Sequence, residues 1–268
     1  MARVKGILQT TGSLKGVSMY TQRGSEQVIM RTKGGPSKYT IKTRESCKPL
    51  RDNGKEWGGC TKAASAIRRG LLPLFRLADY NVSGTLNALC KKIQCNDLIN
   101  EKGQRQIKIS EHRKIFADFD FNKINSFDNV IRISPSWQID RDTFSATIKI
   151  PEFDPTIHLS SPNKLPFMRI VMVFGVTTDE EMNEKGSEYI RTNQWVVGTN
   201  REMHTEWNPV KRLLPEQTIK IEIPELSGIM TERDTFLLGI GVEFGTVGIN
   251  GEGEAVKYAG SAKILGAW

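Results

Sequence analysis

Residues 168–176 read MRIVMVFGV and residues 236–247 read FLLGIGVEFGTV, two runs rich in β-branched and aromatic residues. Such runs, bounded by turn formers, predict strands. Comparable runs lie at 129–134 (NVIRIS), 143–150 (TFSATIKI), 188–197 and 218–223, and Asn250-Gly251 offers a tight turn before a last strand over 255–265. Some eight strands in about 140 residues predict an antiparallel β-sandwich, immunoglobulin-like or jelly-roll, as a domain over 126–268. The expected fold class is α+β, mainly β. All four cysteines precede this region, so it has no immunoglobulin-type disulfide. Gly239, Gly241, Gly245, Gly248, Gly251 and Gly253 fall in a strand and its hairpin. A dinucleotide-binding loop needs a helix after the glycines, so this reading fails on context.

Upstream, the period becomes helical. Ala64, Ile67, Leu71, Leu74, Phe75 and Ala78 recur at spacings of three and four over 61–80, while Lys62, Arg69 and Arg76 lie on another face with Arg68 beside them. Pro73 predicts a kink or break there. A second helix is expected over 83–94, with Val82, Leu86, Leu89 and Ile93 buried and Lys91 and Lys92 in its last turn. A third is expected over 110–119, capped by Ser110. Residues 45–125 thus read as a helical segment. Residues 1–44 carry too much glycine for helix and read as a β-hairpin arm, 15–21 (KGVSMYT) and 26–32 (EQVIMRT) flanking Gln22-Arg23-Gly24-Ser25. Lys38, Lys42 and Arg44 follow in an exit loop. Val17, Met19, Val28 and Met30 alternate imperfectly with polar residues, giving one face that packs. A lone hairpin is marginal in water, so the arm needs something to lie on.

The 268 residues carry 38 Lys and Arg against 30 Asp and Glu, net +8, with 38% hydrophobic and 25% charged residues. This balance excludes wholesale disorder, a membrane span and a fibre. Charge is unevenly placed: up to Ile115 there are 23 basic and 8 acidic residues, net +15, and after it 15 and 22, net −7. The asymmetry suggests an anionic partner for the first half, either nucleic acid or an acidic protein surface. One such surface is the second half of another copy. Residues 1–16 (MARVKGILQTTGSLKG) contain no apolar run of secretory type, so a cytoplasmic protein is expected. Cys47, Cys60, Cys90 and Cys95 match no zinc spacing and read as reduced, structural thiols.

No P-loop, HExxH or GxSxG motif occurs, and His112, His158 and His204 are widely separated. Catalytic residues, metals and cofactors are therefore expected to be absent. Carboxylates cluster at Asp118/Asp120 and at Asp179-Glu180-Glu181, where solvated loop charge is the simpler reading. Glu152, Asp154, Asp179 and Glu180 would support an enzyme only if folding converged them on a cleft. Trp57, Trp137, Trp195 and Trp207 read as core or interface residues, and Trp268 as a free anchor.

The opening MARVKGILQTTGSLKGVSMYTQRGSEQVIMRTKGG, the basic-helix entry RDNGKEWGGCTKAASAIRRGLLPLFRLADYNVSGTLNAL and the closing LLGIGVEFG…AVKYAGSAKIL resemble an uncharacterised family of Bacteroidetes proteins of unknown function. The resemblance covers most of the chain. It implies an N-terminal hairpin and helices joined to a C-terminal β-domain, and supplies no activity, ligand or catalytic residue.

The expected function is a non-enzymatic structural or assembly protein and homo-oligomer, its basic N-terminal region docking on an acidic surface, possibly of a neighbouring subunit. The alternative is a nucleic-acid-binding protein using the same residues as phosphate contacts. In either case the binding residues are Lys5, Lys15, Arg23, Arg31, Lys33, Arg68, Arg69 and Arg76, with Tyr20 and Tyr39 as stacking groups for nucleic acid.

Overall fold

The computed structural model describes the backbone of residues 2–4 and residues 11–21, 27–32, 34–161, 164–248 and 251–268. The chain divides into two compact units, 1–51 and 52–268, where the sequence suggested segments ending at 44 and 125. The whole is a mixed α/β structure with several antiparallel sheets and, among the described residues, no closed barrel.

In the first unit β1 (Ala2–Val4), β2 (Gly12–Leu14), β3 (Val17–Thr21) and β4 (Val28–Thr32) form an antiparallel sheet ordered β1-β4-β3-β2. The expected hairpin pairs from Val17 opposite Thr32 to Thr21 opposite Val28; its turn, 22–25, lies outside the described residues. With Met19 opposite Met30, the two-residue period puts Val17, Met19, Val28 and Met30 on one face. The expected exit loop is instead a short helix, α1 (Lys38–Thr43), because the Ser37 hydroxyl accepts the Thr40 N–H at 3.1 Å and caps it.

The second unit is built on two long strands. β7 (Phe167–Thr178) and β13 (Asp234–Val247) pair over twelve residues, with β14 (Gly253–Ala267) outside β13 and β10 (Asn200–His204) and β11 (Asn208–Pro209) outside β7. Both central strands are covered on both faces, which is why they read as unbroken apolar runs. Met168, Ile170, Met172, Phe174 and Val176 share one core with Phe236, Leu238, Ile240, Val242 and Phe244. That core continues into a three-stranded sheet ordered β12-β6-β5, made of β5 (Ser136–Asp140), β6 (Ser145–Ile150) and β12 (Gln217–Glu222). A small pair, β8 (Glu180–Met182) and β9 (Tyr189–Arg191), completes the strands described.

The opposite face of β7 and β13 belongs to the helices. Val171, Val173 and Leu237 pack with Leu71, Leu74, Leu77, Leu86 and Ile93 in a second core. Ala63, Ala64 and Ile67 of α2 (Lys48–Gly70) join them; Leu71 follows that helix, Leu74 and Leu77 lie in the 3₁₀ turn Leu72–Leu77, and Leu86 and Ile93 on α3 (Ser83–Cys95). Helix α2 starts thirteen residues before the expected 61, despite Gly54, Gly58 and Gly59, because tertiary anchoring at its buried Glu56 outweighs low propensity. Pro73 falls in the 3₁₀ turn, as a break there predicts. Asn200, Gly239 and Gly241 lie on the helix-facing side; at the two glycines a side chain would run into Leu74 and Leu77 at 2.4 and 2.6 Å. A methyl group on Gly175 would lie 1.9 Å from the Gly70 carbonyl oxygen.

Further expected elements differ: of the strand expected over 188–197 only Tyr189–Arg191 is strand. Residues 110–119 form two 3₁₀ turns, Ile109–Glu111 and Arg113–Phe116, rather than a helix. Ser110 gives its N–H and hydroxyl to Asp179, and the backbone beyond pairs along β14: Asp118 N–H to Ile264, Ile264 N–H to Phe119, Phe121 N–H to Ala262. Residues 129–134 are not a strand. Asp120 accepts the Phe127 N–H at 2.7 Å and starts one turn, α4 (Phe127–Val130), leaving a single bridge from Ile131 to Leu159. A further turn, α5 (Pro155–His158), is capped by Asp154.

The approach of Gly70 to Gly175 has a direct test. Gly175→Ala should lower stability by about 2–3 kcal/mol or more through overpacking, read from the urea midpoint. Gly58→Ala, in open space on α2, should raise it by about 0.5–1 kcal/mol. An unchanged midpoint in Gly175→Ala would refute the close packing.

Candidate functional site

Of the eight expected binding cations, Lys5, Arg23 and Lys33 lie outside the described residues. Lys15 occupies the turn between β2 and β3, exposed and at φ 45°, a left-handed backbone that costs a non-glycine residue energy. Arg31 sits on β4 opposite Ser18, its guanidinium 5.4 Å from the Tyr20 ring centroid. Tyr20 is thereby part-covered by a cation, whereas Tyr39 is exposed. Within this unit the apolar face is thin: among described side chains Val28 alone is buried.

The three arginines of the second unit do not share one surface. Arg68 and Arg69 are exposed in the last turn of α2, where cations complement the helix dipole. Because the helix stops at Gly70, Arg76 leaves the seven-residue repeat and turns to the sheet. Its Nε donates to Glu243 at 3.0 Å and its amino group pairs with Glu202. Arg169 holds the other Glu243 oxygen at 2.6 Å, and His204 Nε2 lies 3.1 Å from Glu202. Arg76 is therefore an internal counter-ion, half-buried, rather than an open phosphate contact. The sequence signal for this was Glu243, a lone charge in an apolar strand.

Arg68 has different surroundings. It lines an open cleft of about 570 Å³ with Phe75, Asp79, Tyr80, Ser83 and Tyr258. Its guanidinium lies 5.5 Å from the Phe75 centroid, Lys123 Nζ 4.3 Å from that of Tyr80 and Lys257 Nζ 4.9 Å from that of Tyr258. Tyr258 is 67% exposed and sits at φ 62°. One cation, Arg68, and three aromatic rings thus line this cleft, with Lys123 and Lys257 against two of those rings, an arrangement that stacks planar rings and attracts phosphate. Sequence reading chose Tyr20 and Tyr39 instead, because Phe75, Tyr80 and Tyr258 come from segments far apart in the chain.

The carboxylates expected in solvated loops are largely structural. Asp120 caps a turn and Asp179 and Glu180 are buried, whereas Asp118 is exposed; Asp154, named only for an enzyme site, caps a turn as well. Glu56, fully buried, accepts from Arg105 at 2.7 and 2.6 Å, Lys91 at 2.6 Å and the Gly103 N–H at 2.8 Å. Burial alone would raise its pKa, but these donors outweigh it and hold it at about 2. Burial pushes the Cys60 thiol up to about 11, and all four cysteines are free. Among the described residues no group of three or more His, Cys, Asp or Glu is placed to hold a metal. No described helix is long and apolar enough to cross a membrane. Trp195 is exposed and so is not a core residue.

Glu180 gives a pH-dependent prediction. Burial raises it from 4.5 to about 7 even though Arg191 Nε lies 3.1 Å from one oxygen; the other oxygen has no partner. The folded state then binds more protons than the unfolded between these values, so Glu180 subtracts stability as pH rises through that window, by up to about 3 kcal/mol. Glu180→Gln should remove this loss: its urea midpoint relative to the native chain should climb between about pH 5 and pH 8. A difference that stays flat with pH would contradict the raised titration.

No family model, no curated protein and no solved structure matches the chain.

Proposed function

We propose that this is a non-enzymatic structural protein whose N-terminal unit is a docking element for an acidic surface, that of a neighbouring copy. The observation that carries the reading is the four-stranded sheet with one buried side chain among those described. Strands of three to five residues with so little buried apolar area do not offset their ordering cost, so the face of Val17, Met19, Val28 and Met30 needs a cover. Arg31, on the other face of this sheet, and Lys15, in its β2–β3 turn, give the unit a positive potential that favours an acidic partner. We read the second unit as an aligned β-sandwich, immunoglobulin-like or jelly-roll. The shared core between β7-β13 and β12-β6-β5 supports that. A cytoplasmic setting suits four free cysteines.

The test is the oligomeric state of the full chain by mass photometry and negative-stain microscopy across salt. Rings or filaments at about 50 mM salt should dissociate at about 500 mM, where charge contacts are screened. Arg31→Glu should shift the low-salt distribution to monomer. A monomer at every concentration and salt tested would overturn the proposal.

A second reading, nucleic-acid binding, is favoured by the cleft of Arg68, Phe75, Tyr80 and Tyr258. Tyr258→Ala should then weaken single-stranded RNA or DNA binding about tenfold, the range expected for one stacked base. Arg68→Glu should weaken it across sequences and reduce the salt slope. No gel shift by the native chain at about 50 mM salt would remove this reading.

A further inference from the structure

The arginines that sequence analysis did not single out form the most unusual charge arrangement among the described residues. Arg113, Arg141 and Arg233 line one open cleft of about 460 Å³ with Ser110, Glu111 and Glu232. Most buried or half-buried cations in this unit face a carboxylate: Arg76, Arg105, Arg169, Arg191 and Lys263 all do. Arg113 and Arg141 instead hold backbone carbonyls. Arg113 reaches the Glu232 carbonyl at 3.3 Å, and its Nε is buried with no hydrogen-bond partner. Arg141 reaches the carbonyls of Asp234, at 3.0 Å, and Thr231. Neither forms an ion pair with a described residue. Of the carboxylates nearby, Asp179 is taken up by Ser110, Glu111 pairs with Lys108 and Glu181 pairs with Arg233, while Glu232 also lines the cleft and lies within ion-pair distance of neither Arg113 nor Arg141. Burial and then the charge of Arg141 push Arg113 below its usual value, so the two guanidiniums repel each other across the cleft.

A second cleft, of about 540 Å³, opens from the same Ser110, Glu111 and Arg113 and adds Lys114, Ile115 and Trp268. The Trp268 indole is 54% exposed. Under-neutralised guanidiniums therefore adjoin an apolar, aromatic wall. Planar guanidinium donors match the oxygens of a phosphate group, and an indole face accepts a planar organic body. We propose that these joined clefts bind a small phosphate monoester, its phosphate between Arg113 and Arg141 and its organic part against Trp268 and Ile115. The site is separate from the docking role and stands or falls without it.

Isothermal titration of the full chain in a buffer free of phosphate and sulfate tests this with three probes: phenyl phosphate, inorganic phosphate and phenol. Phenyl phosphate should bind about tenfold more tightly than inorganic phosphate, and phenol should not bind at about 10 mM. Arg141→Gln should abolish binding of both phosphates. Trp268→Ala leaves both arginines in place; it should erase the advantage of phenyl phosphate and keep the weak binding of phosphate. Circular dichroism establishes that each variant is folded, and should Arg141→Gln unfold, the native chain and Trp268→Ala decide the matter. No heat with phenyl phosphate at about 10 mM, or equal binding by native chain and a folded Arg141→Gln, would overturn the site and leave the arginines as clamps on the 231–234 carbonyls.

Discussion

The carbonyl oxygen of Gly70 lies where a side chain on Gly175 would have to be, and the layering of the second unit follows from that contact. Helix α2 can end against the sheet only because neither residue carries a Cβ. The chain then turns through Leu72–Leu77 directly above Gly239 and Gly241, so Leu74 and Leu77 fill the space two side chains would have taken. The opposite face of the same strands carries Phe174, Phe236, Leu238 and Phe244 and needs no such economy. One face is small because a helix end presses on it; the other is large because a sheet packs at ordinary distance.

The same turn decides where charge goes. Stopping the helix at Gly70 swings Arg76 onto Glu202 and Glu243, so a cation of the basic half neutralises carboxylates of the acidic half within one chain. Glu243 is almost wholly buried and needs both Arg76 and Arg169; without either it would be an uncompensated charge in the core. The imbalance between the halves is therefore smaller at the surface than in the sequence. What remains includes Arg68, Arg69 and the cations of the N-terminal unit.

The strand half was legible where strands are buried on both faces: 168–176 and 236–247 lie within β7 and β13, and 218–223 nearly coincides with β12. Apolar composition suffices there because no alternative burial competes. It failed where one side chain captures backbone donors. Asp120 turned 127–130 into a helical turn, and Asp179 with the edge of β14 drew 110–119 out of a helix. Neither effect has a local signature. The candidate surfaces were legible as charge and not as geometry: Arg68 was found without its aromatic neighbours, and Arg76 was counted as free because a helical repeat was extended past Pro73.

The two units stand at opposite ends of the stability range. The second has two extensive cores and strands of twelve to fifteen residues, so opening any one element exposes much of the rest and unfolding is expected to be cooperative. The first has short strands, a six-residue helix without a buried residue and, among described side chains, one buried valine. Its intrinsic free energy is small, so under the proposed docking role a partner that covers the Val17–Met30 face would contribute most of its stability through binding. Coupling of this kind costs affinity, since ordering is offset at the moment of contact, and it makes the fold of the arm report on whether the partner is there. A marginal sheet carrying cations is thus suited to contacts that form and release with concentration and salt, which a preformed hydrophobic interface is not.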